Sequence, residues 1–318
     1  MKLLRKIMKL VLLVALIIAN IVLLYNNIHQ DKLIFTENFS SSYIDRQTTS
    51  LEEPVSIVAV ENKLYICDLK KHSIVILDNY GDYLMEKGKF GSKPGEFITP
   101  IAIDFFNNHF YVLDHDNARI QIFDSNFEYE SEIDITKVST YINNKFSYNN
   151  IMVGPEGIYL SSKSNISRTI PSVLLIKTDG NIIVKKNNVY GSFIRYDNGS
   201  MFIKTGDSDS LKYKLTKNIY SKPIKFILSG SKNNCEINTK LSYGVMKNYK
   251  EQIIGLRPNG SCLDFYTQLG YQYSYSLIKN NTEWDIESLV ASSYEMATDH
   301  KNIYIVNDNG GLIIIREK

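Results

Sequence analysis

Cysteine is nearly absent: three in 318 residues, Cys67, Cys235 and Cys262, an odd count at wide spacing. That excludes a disulfide framework and a zinc knuckle. A buried free thiol acting as a small hydrophobe is the expected role, with a Cys235–Cys262 bridge as the alternative. Histidine is scarce, at five residues. Neither sign of charge dominates, since 36 Lys+Arg face 34 Asp+Glu for a formal +2. Lys2, Arg5, Lys6 and Lys9 all precede the first acid, Asp31, so the rest of the chain is slightly acidic, with its lysines scattered among Asn, Ser and Asp. Phosphate backbones require clustered Lys/Arg, so no nucleic-acid partner is expected. No G-x-S-x-G elbow, P-loop or H-E-x-x-H occurs, and nucleophilic hydrolysis has no support.

What is present is apolar: 44% hydrophobic and 12% aromatic residues, enough to bury a large core. Leu10 to Tyr25 is an uncharged run interrupted only by Asn20 and preceded by the basic residues 1–9. Flanking positive charge is held on the cytoplasmic side. Leu23, Leu24, Tyr25, Asn26 and Asn27 offer no small-residue cleavage site, and no Cys lies nearby to accept a lipid. The expectation is an uncleaved signal anchor over 10–27, single-pass in the cell membrane, with a cytoplasmic tail (1–9) and an extracytoplasmic remainder (28–318). Cleaved secretion is the alternative.

Beyond the anchor the chain repeats. Pro54 to Asp78 and Pro100 to Asp124 match without gaps at an offset of 46, with identities at Pro54/Pro100, Ile57/Ile103, Asn62/Asn108, Tyr65/Tyr111, Asp68/Asp114, Ile74/Ile120, Ile76/Ile122 and Asp78/Asp124. Each copy holds three runs of four to six β-branched, aromatic and aliphatic residues divided by short polar turns, and a fourth run follows at Tyr83–Lys87 and at Tyr129–Ile135. Four antiparallel strands per period of this size describe a propeller blade.

Fainter copies follow: Gly157–Leu160 with Val173–Lys177 and Ile182–Lys185; Phe193–Tyr196 with Met201–Thr205 and Leu211–Leu215; Gln252–Leu256 with Cys262–Tyr266 and Tyr271–Leu277. Lys301–Asn307 and Leu312–Arg316 end the chain three strands into a last copy, with Asn307 at the position of Asp114. An open sheet edge is a liability. The run Leu33–Thr36 is therefore expected to pair with the C-terminal blade and close the ring. The fold class expected is all-β, a six-bladed β-propeller preceded by one N-terminal transmembrane helix.

Phe90 to Pro100, Phe110 to Asp114 and Asn117 to Asp124 closely resemble an NHL repeat, a motif of the TolB-like six-bladed propeller superfamily. The resemblance covers about 35 residues well, Pro54–Asp78 moderately and the rest weakly. It implies structural roles for Asp68, Asp114, Arg119 and Asn307. Asp114 accepts hydrogen bonds from backbone or Arg119 and fixes the turn through 115–117, while Gly91 and Gly95 supply positive φ between blades. Ser73 stands where the second copy has Arg119, which loosens the tie in the first.

Relatives with enzymatic activity include an amidating lyase with a three-histidine zinc site and lactonases holding a divalent ion through carboxylates and amides. Both work on the face built by the loops between second and third strands. Here that face carries His72, His115, Asp116, Asp207, Asp209, Arg257 and Asp308 as ligand-binding candidates. Only His72 and His115 share it among the five histidines, so a three-histidine zinc site cannot be assembled. Asp207-Ser208-Asp209-Ser210 resembles the start of a calcium loop without its later glycine and glutamate. Tyr271, Tyr273 and Tyr275 alternate on one strand face. Packing between blades is preferred for them over a sugar-stacking strip.

No cofactor motif is present. The function expected is a noncatalytic, membrane-anchored binding module for a protein, peptide or glycan. A lactonase- or lyase-like enzyme with a divalent cation in the central channel is the alternative.

Overall fold

Short apolar runs separated by two-residue polar turns favour hairpins. Glu61-Asn62 and Asn107-Asn108 both sit in the left-handed region, at φ 49° and 62° in each pair. That geometry matches the twist of paired strands. At the opposite hairpins, Asp78 Oδ1 accepts from the Tyr80 and Asp82 N–H groups, and Asp124 Oδ1 accepts from those of Asn126 and Glu128. The same side chain thus shapes the same turn in both copies.

The computed structural model describes residues 36–136, 148–155, 157–161, 172–187, 193–195, 201–207, 210–215, 237–238, 245–257, 262–267, 270–277, 294–299 and 301–318. For 172–173, 182–187, 193–195, 201–207, 210–215, 237–238, 270–271 and 294 it describes backbone alone. The elements begin with β1 (Phe39–Ile44) and a single helical turn, α1 (Arg46–Thr49). Blade 1 is β2 (Pro54–Val60), β3 (Lys63–Asp68), β4 (Ser73–Asp78) and β5 (Tyr83–Lys87); blade 2 is β6 (Pro100–Phe106), β7 (His109–Asp114), β8 (Arg119–Phe123) and β9 (Tyr129–Asp134). Blade 3 is β10 (Asn150–Gly154), β11 (Gly157–Ser161), β12 (Ser172–Ile176) and β13 (Ile182–Asn187); blade 4 is β14 (Phe193–Arg195), β15 (Met201–Asp207), β16 (Ser210–Leu215) and β17 (Ile237–Asn238). Blade 5 is β18 (Val245–Tyr249), β19 (Gln252–Leu256), β20 (Cys262–Thr267) and β21 (Gly270–Ser276). Blade 6 combines β22 (Tyr294–Thr298), β23 (Asn302–Asn307) and β24 (Leu312–Glu317) with β1.

Each blade is a four-stranded antiparallel sheet, and the first strands form a closed ring in the order β2, β6, β10, β14, β18, β22 and back to β2. Side chains staple neighbouring inner strands. Ser56 Oγ accepts from the Ile103 N–H at 3.2 Å, Asp104 Oδ2 from the Val153 N–H at 2.7 Å, and Thr298 Oγ1 donates to the Asn248 carbonyl at 2.6 Å. Apolar clusters fill the spaces between blades 1 and 2, 2 and 3, 5 and 6, and 6 and 1. Burial of these faces against each other is the main stabilising term.

The closing strand differs from the expected one. Phe39–Ile44 pairs with β24, from Phe39 opposite Glu317 to Ile44 opposite Leu312. Leu33–Phe35 lie outside the described residues, and Thr36 belongs to no strand. An outermost strand needs few buried side chains, so Phe-Ser-Ser-Ser-Tyr-Ile serves although it is not a continuous apolar run. Phe39 carries most of the burial, stacked on Phe265 at 5.2 Å and edge-on to Tyr275 at 5.6 Å. The expected membrane segment, 10–27, also lies outside the described residues, and no helix among those described is long and apolar enough to cross a membrane.

Cys67 and Cys262 are buried free thiols, and Cys235 is outside the described residues. Tyr275 is fully buried between blades 5 and 6, in keeping with inter-blade packing, whereas Tyr273 stacks at 4.7 Å on Phe265, its cross-strand partner within blade 5. The Tyr271 side chain is not described.

Burial, first, and neighbouring carboxylates, second, push the Tyr304 and Tyr249 hydroxyls well above the ordinary tyrosine range. Tyr304 donates to Asp299 Oδ2 at 2.8 Å, a bond only the neutral phenol can make. A raised folded pKa contributes stability below the unfolded value near 10 that is lost as pH rises through the folded value. Spectrophotometric titration should show these two tyrosines silent until the chain unfolds in alkali, with denaturation midpoints falling above about pH 10.

Candidate functional site

The loops joining second and third strands lie beside the connections between blades, because acidic side chains at the ends of the second strands grip those connections. Asp114, fully buried at the end of β7, accepts through Oδ1 from the Ile98 and Thr99 N–H groups, both at 3.1 Å. Its Oδ2 takes Asn117 Nδ2 at 2.7 Å and Arg119 Nε at 3.1 Å. Arg119 spends its remaining donors on the Ser92, Lys93 and Glu96 carbonyls and on Glu132 Oε2, at 2.7–3.0 Å. All five guanidinium N–H groups are thereby satisfied. The connection they grip turns at Gly95, whose φ is 76°, and at Gly91, where an added Cβ would lie 2.1 Å from Glu96 Oε2.

Blade 1 repeats only part of this. Asp68 is fully buried and accepts from the N–H groups of Glu52 at 2.6 Å, Glu53 at 3.0 Å and Lys71 at 3.3 Å. In blade 6, Asn307 Oδ1 accepts from the Gly311 N–H at 2.8 Å. In blade 5 the charges are exchanged between strands. Arg257, at the position of Asp114, holds Asp264 on β20 through Nε at 3.0 Å and Nη2 at 2.9 Å. Its side chain is only 16% exposed, so this candidate ligand-binding residue is engaged in a structural tie. Sequence reasoning missed the exchange, although sliding β7 onto β19 places Arg257 on Asp114 and Asp264 on Gln121.

The structure brings His72, His115 and Asp116 to one connection. His72, left-handed at φ 53°, donates from Nδ1 to the Ile98 carbonyl, and its ring meets Phe90 edge-on at 4.9 Å. A carbonyl can only accept, which fixes the proton on Nδ1 and leaves Nε2 as the imidazole's acceptor nitrogen when the ring is neutral. One residue further, Thr99 Oγ1 donates to Asp116 Oδ2 at 2.6 Å, and His115 Nδ1 lies 2.6 Å from Asp116 Oδ1. The Thr99 hydroxyl, followed by His115, holds the Asp116 carboxyl below the usual range. Phe90 is 65% exposed, the largest exposure of any big hydrophobic side chain described. It was not among the sequence candidates, since exposure of one ring in a loop has no sequence signal.

The other candidates do not join this group. Asp308 sits in the turn 308–311, where the Gly310 carbonyl accepts from Thr49 Oγ1 at 2.8 Å. Asp207 is described as backbone at the end of β15, and Asp209 is outside the described residues, as are His29 and His300. His109 lies at the opposite turns with Glu130 3.1 Å from its Nε2. Among the described residues, no three His, Cys, Asp or Glu side chains are placed to hold a metal ion.

On the same side as His72, an open depression of about 550 Å³ is lined by Arg46, Gln47, Ser50, Leu51, Glu52 and Lys71. Arg46 faces Glu52 at 3.5 Å, and Lys71 faces Glu86 at 2.8 Å.

Known structures share this architecture at low identity. Virginiamycin B lyase from Staphylococcus aureus superposes with a TM-score of 0.53 at 10% identity, covering 88% of this chain and 100% of that one. A Bacteroides fragilis protein described as exported gives 0.57 at 14%, covering 90% and 98%. The PQQ-bound aldose sugar dehydrogenase from Streptomyces coelicolor gives 0.54 at 12%, covering 88% and 99%. Identities this low establish the fold alone. No curated protein sequence matches the chain. A family model described as "6-bladed beta-propeller" matches residues 19–242. With six four-stranded sheets closed into a ring and that match over most of its length, the chain belongs to this family of six-bladed β-propellers.

Proposed function

We propose that the chain is a membrane-tethered extracytoplasmic propeller that binds a protein, peptide or glycan through the face carrying the loops between second and third strands. Residues 10–27 form its single membrane span, with the N-terminus cytoplasmic. The basic residues 1–9 followed by the uncharged run Leu10–Tyr25 support the tether. The observation that carries the binding reading is the exposed Phe90 ring held against His72, beside the Thr99–Asp116–His115 chain of hydrogen bonds. An aromatic anchor beside oriented polar groups on a rigid scaffold is how binding faces gain affinity without losing side-chain entropy.

A photo-crosslinking residue at position 90 of the full-length chain, in its native membrane, should give a discrete adduct that the same residue at position 109 does not. Phe90→Ala and His72→Ala, each in otherwise unaltered chains, should weaken binding of the captured partner by about tenfold or more. Equal adducts from both positions, or unchanged affinity in both variants, would overturn the assignment.

A further inference from the structure

Every large hydrophobic side chain that stands exposed among the described residues falls between positions 80 and 90: Tyr80, Tyr83, Leu84, Met85 and Phe90. Phe90 belongs to the connection that meets His72. The other four form one hairpin at the outer rim of blade 1, made of the turn 79–82 and β5, the outermost strand of its sheet. Single exposed apolar residues are ordinary, but a contiguous set marks a contact surface.

The equivalent strand of blade 2 is built differently. Met85 pairs with Ile76 as Ser131 does with Ile122, and each outer strand then skips one residue, Leu84 in blade 1 and Glu130 in blade 2. Blade 2 presents Asn126, Glu130 and Ser131 where blade 1 presents Tyr80, Leu84 and Met85. Charge and bulges are two devices that keep an outer strand from pairing with another chain. β5 keeps the bulge, which blunts backbone pairing, but lacks the charge at its crest. What it offers is therefore a contact of side chains. The hairpin is also held fixed. Asp78 Oδ1 accepts from the Tyr80 and Asp82 N–H groups, Arg316 donates to the Asn79 carbonyl at 3.1 Å, and its guanidinium lies 5.3 Å from the centre of the Tyr80 ring. Rings already held in place lose little entropy when a partner covers them.

We infer that this hairpin is a homodimer interface, in which two copies pack their β5 rims together about a two-fold axis near Leu84 and Met85. Charge selects a second copy. Both charged residues of β5 are already neutralised, Glu86 by Lys71 at 2.8 Å and Lys87 by Glu128 at 2.7 Å. The rim thus presents no unpaired charge to attract an acidic or basic partner, and none that repels its own image. Apolar residues on the axis meet themselves without cost, whereas the same contact through β9 would bring Glu130 and Glu132 against their counterparts. A two-fold contact also closes, using both rims and leaving neither to recruit further chains. The turn 79–82 lies on the side opposite the loops between second and third strands, so the interface does not rest on what the Phe90–His72 cluster binds and leaves that cluster open.

Sedimentation velocity of the full-length chain in mild detergent is the test. The wild type should pass from monomer to dimer in the micromolar range. Leu84→Glu, which installs the residue that blade 2 carries there, should weaken dimerisation by about tenfold or more with Tm unchanged. Phe90→Ala should dimerise as the wild type does. In the native cell, Met85→Cys should give a disulfide-linked dimer on mild oxidation; Ser131→Cys should not, nor should the wild type, in which Cys67 and Cys262 are buried. A wild type that stays monomeric through the micromolar range, a dimer that Leu84→Glu leaves unweakened, or equal crosslinking at positions 85 and 131 would overturn the interface.

Discussion

A chain beginning at residue 45 is expected not to fold, whereas one beginning at residue 36 keeps its cooperative unfolding. The cut at 45 removes β1 and leaves the Leu312–Ile315 stretch of β24 as an unpaired apolar edge. Such an edge invites pairing with other chains, so aggregation is the outcome to measure by size-exclusion chromatography. The loss goes beyond backbone pairing. Phe39 is 3% exposed and packs on Tyr249, Phe265 and Tyr275; Ser41 Oγ lies 2.8 Å from Tyr275 Oη; and Gly81 approaches the Ile44 side chain so closely that a Cβ there would clash. The point substitution Phe39→Ala should by itself lower unfolding free energy by about 3–5 kcal/mol. Equal stability of the two truncations in denaturant titrations would show that β1 does not close the ring.

Arg119→Ala is the second large effect, with an expected loss of about 3–5 kcal/mol. The side chain is 7% exposed and its partner Asp114 is fully buried, so truncation leaves a charge in the interior without its counterion. It also strips the donors from the Ser92, Lys93 and Glu96 carbonyls that shape the connection into blade 2. Arg119→Lys should recover little, since one ammonium cannot reach two carboxylates and three carbonyls at once. Lys87→Ala is the control, because the Lys87–Glu128 pair is solvent-exposed and should cost no more than about 1 kcal/mol. Urea denaturation of the three variants decides the matter: a loss at Arg119 no larger than at Lys87 would mean that Asp114 is held by its backbone donors alone.

The two well-matched copies were legible because local rules repeat in them. The paired positive-φ turns, the Asp78 and Asp124 side chains over their hairpins, and the short apolar runs buried on both faces in the second and third strands all follow from short-range pattern. Blades 3 and 5 were legible in their outer strands, while their first strands, Asn150–Gly154 and Val245–Tyr249, carry polar residues and no offset match. Inner strands pack on two neighbours and the channel, so their composition reflects contacts that the local sequence does not contain. The polar ties were legible where residue types recurred, as at Asp68 and Asp114. Where Arg257 takes the position of Asp114 and its acid, Asp264, takes that of Gln121, residue type misleads and only position is informative.

By itself, the amino-acid sequence determined the strand meander, its repeat at an offset of 46, the scarcity of histidine and cysteine, and the replacement of arginine by Ser73 in the first copy. These are properties of neighbours along the chain and of equivalent positions in successive copies. Tertiary structure alone decided that Phe39–Ile44 is the closing strand, that His72 meets Phe90 and the Ile98 carbonyl, and that Ser73 lacks a partner within a buried layer. Each depends on segments far apart in sequence meeting at a blade boundary, where burial and the satisfaction of polar groups choose among partners that local propensity leaves equal.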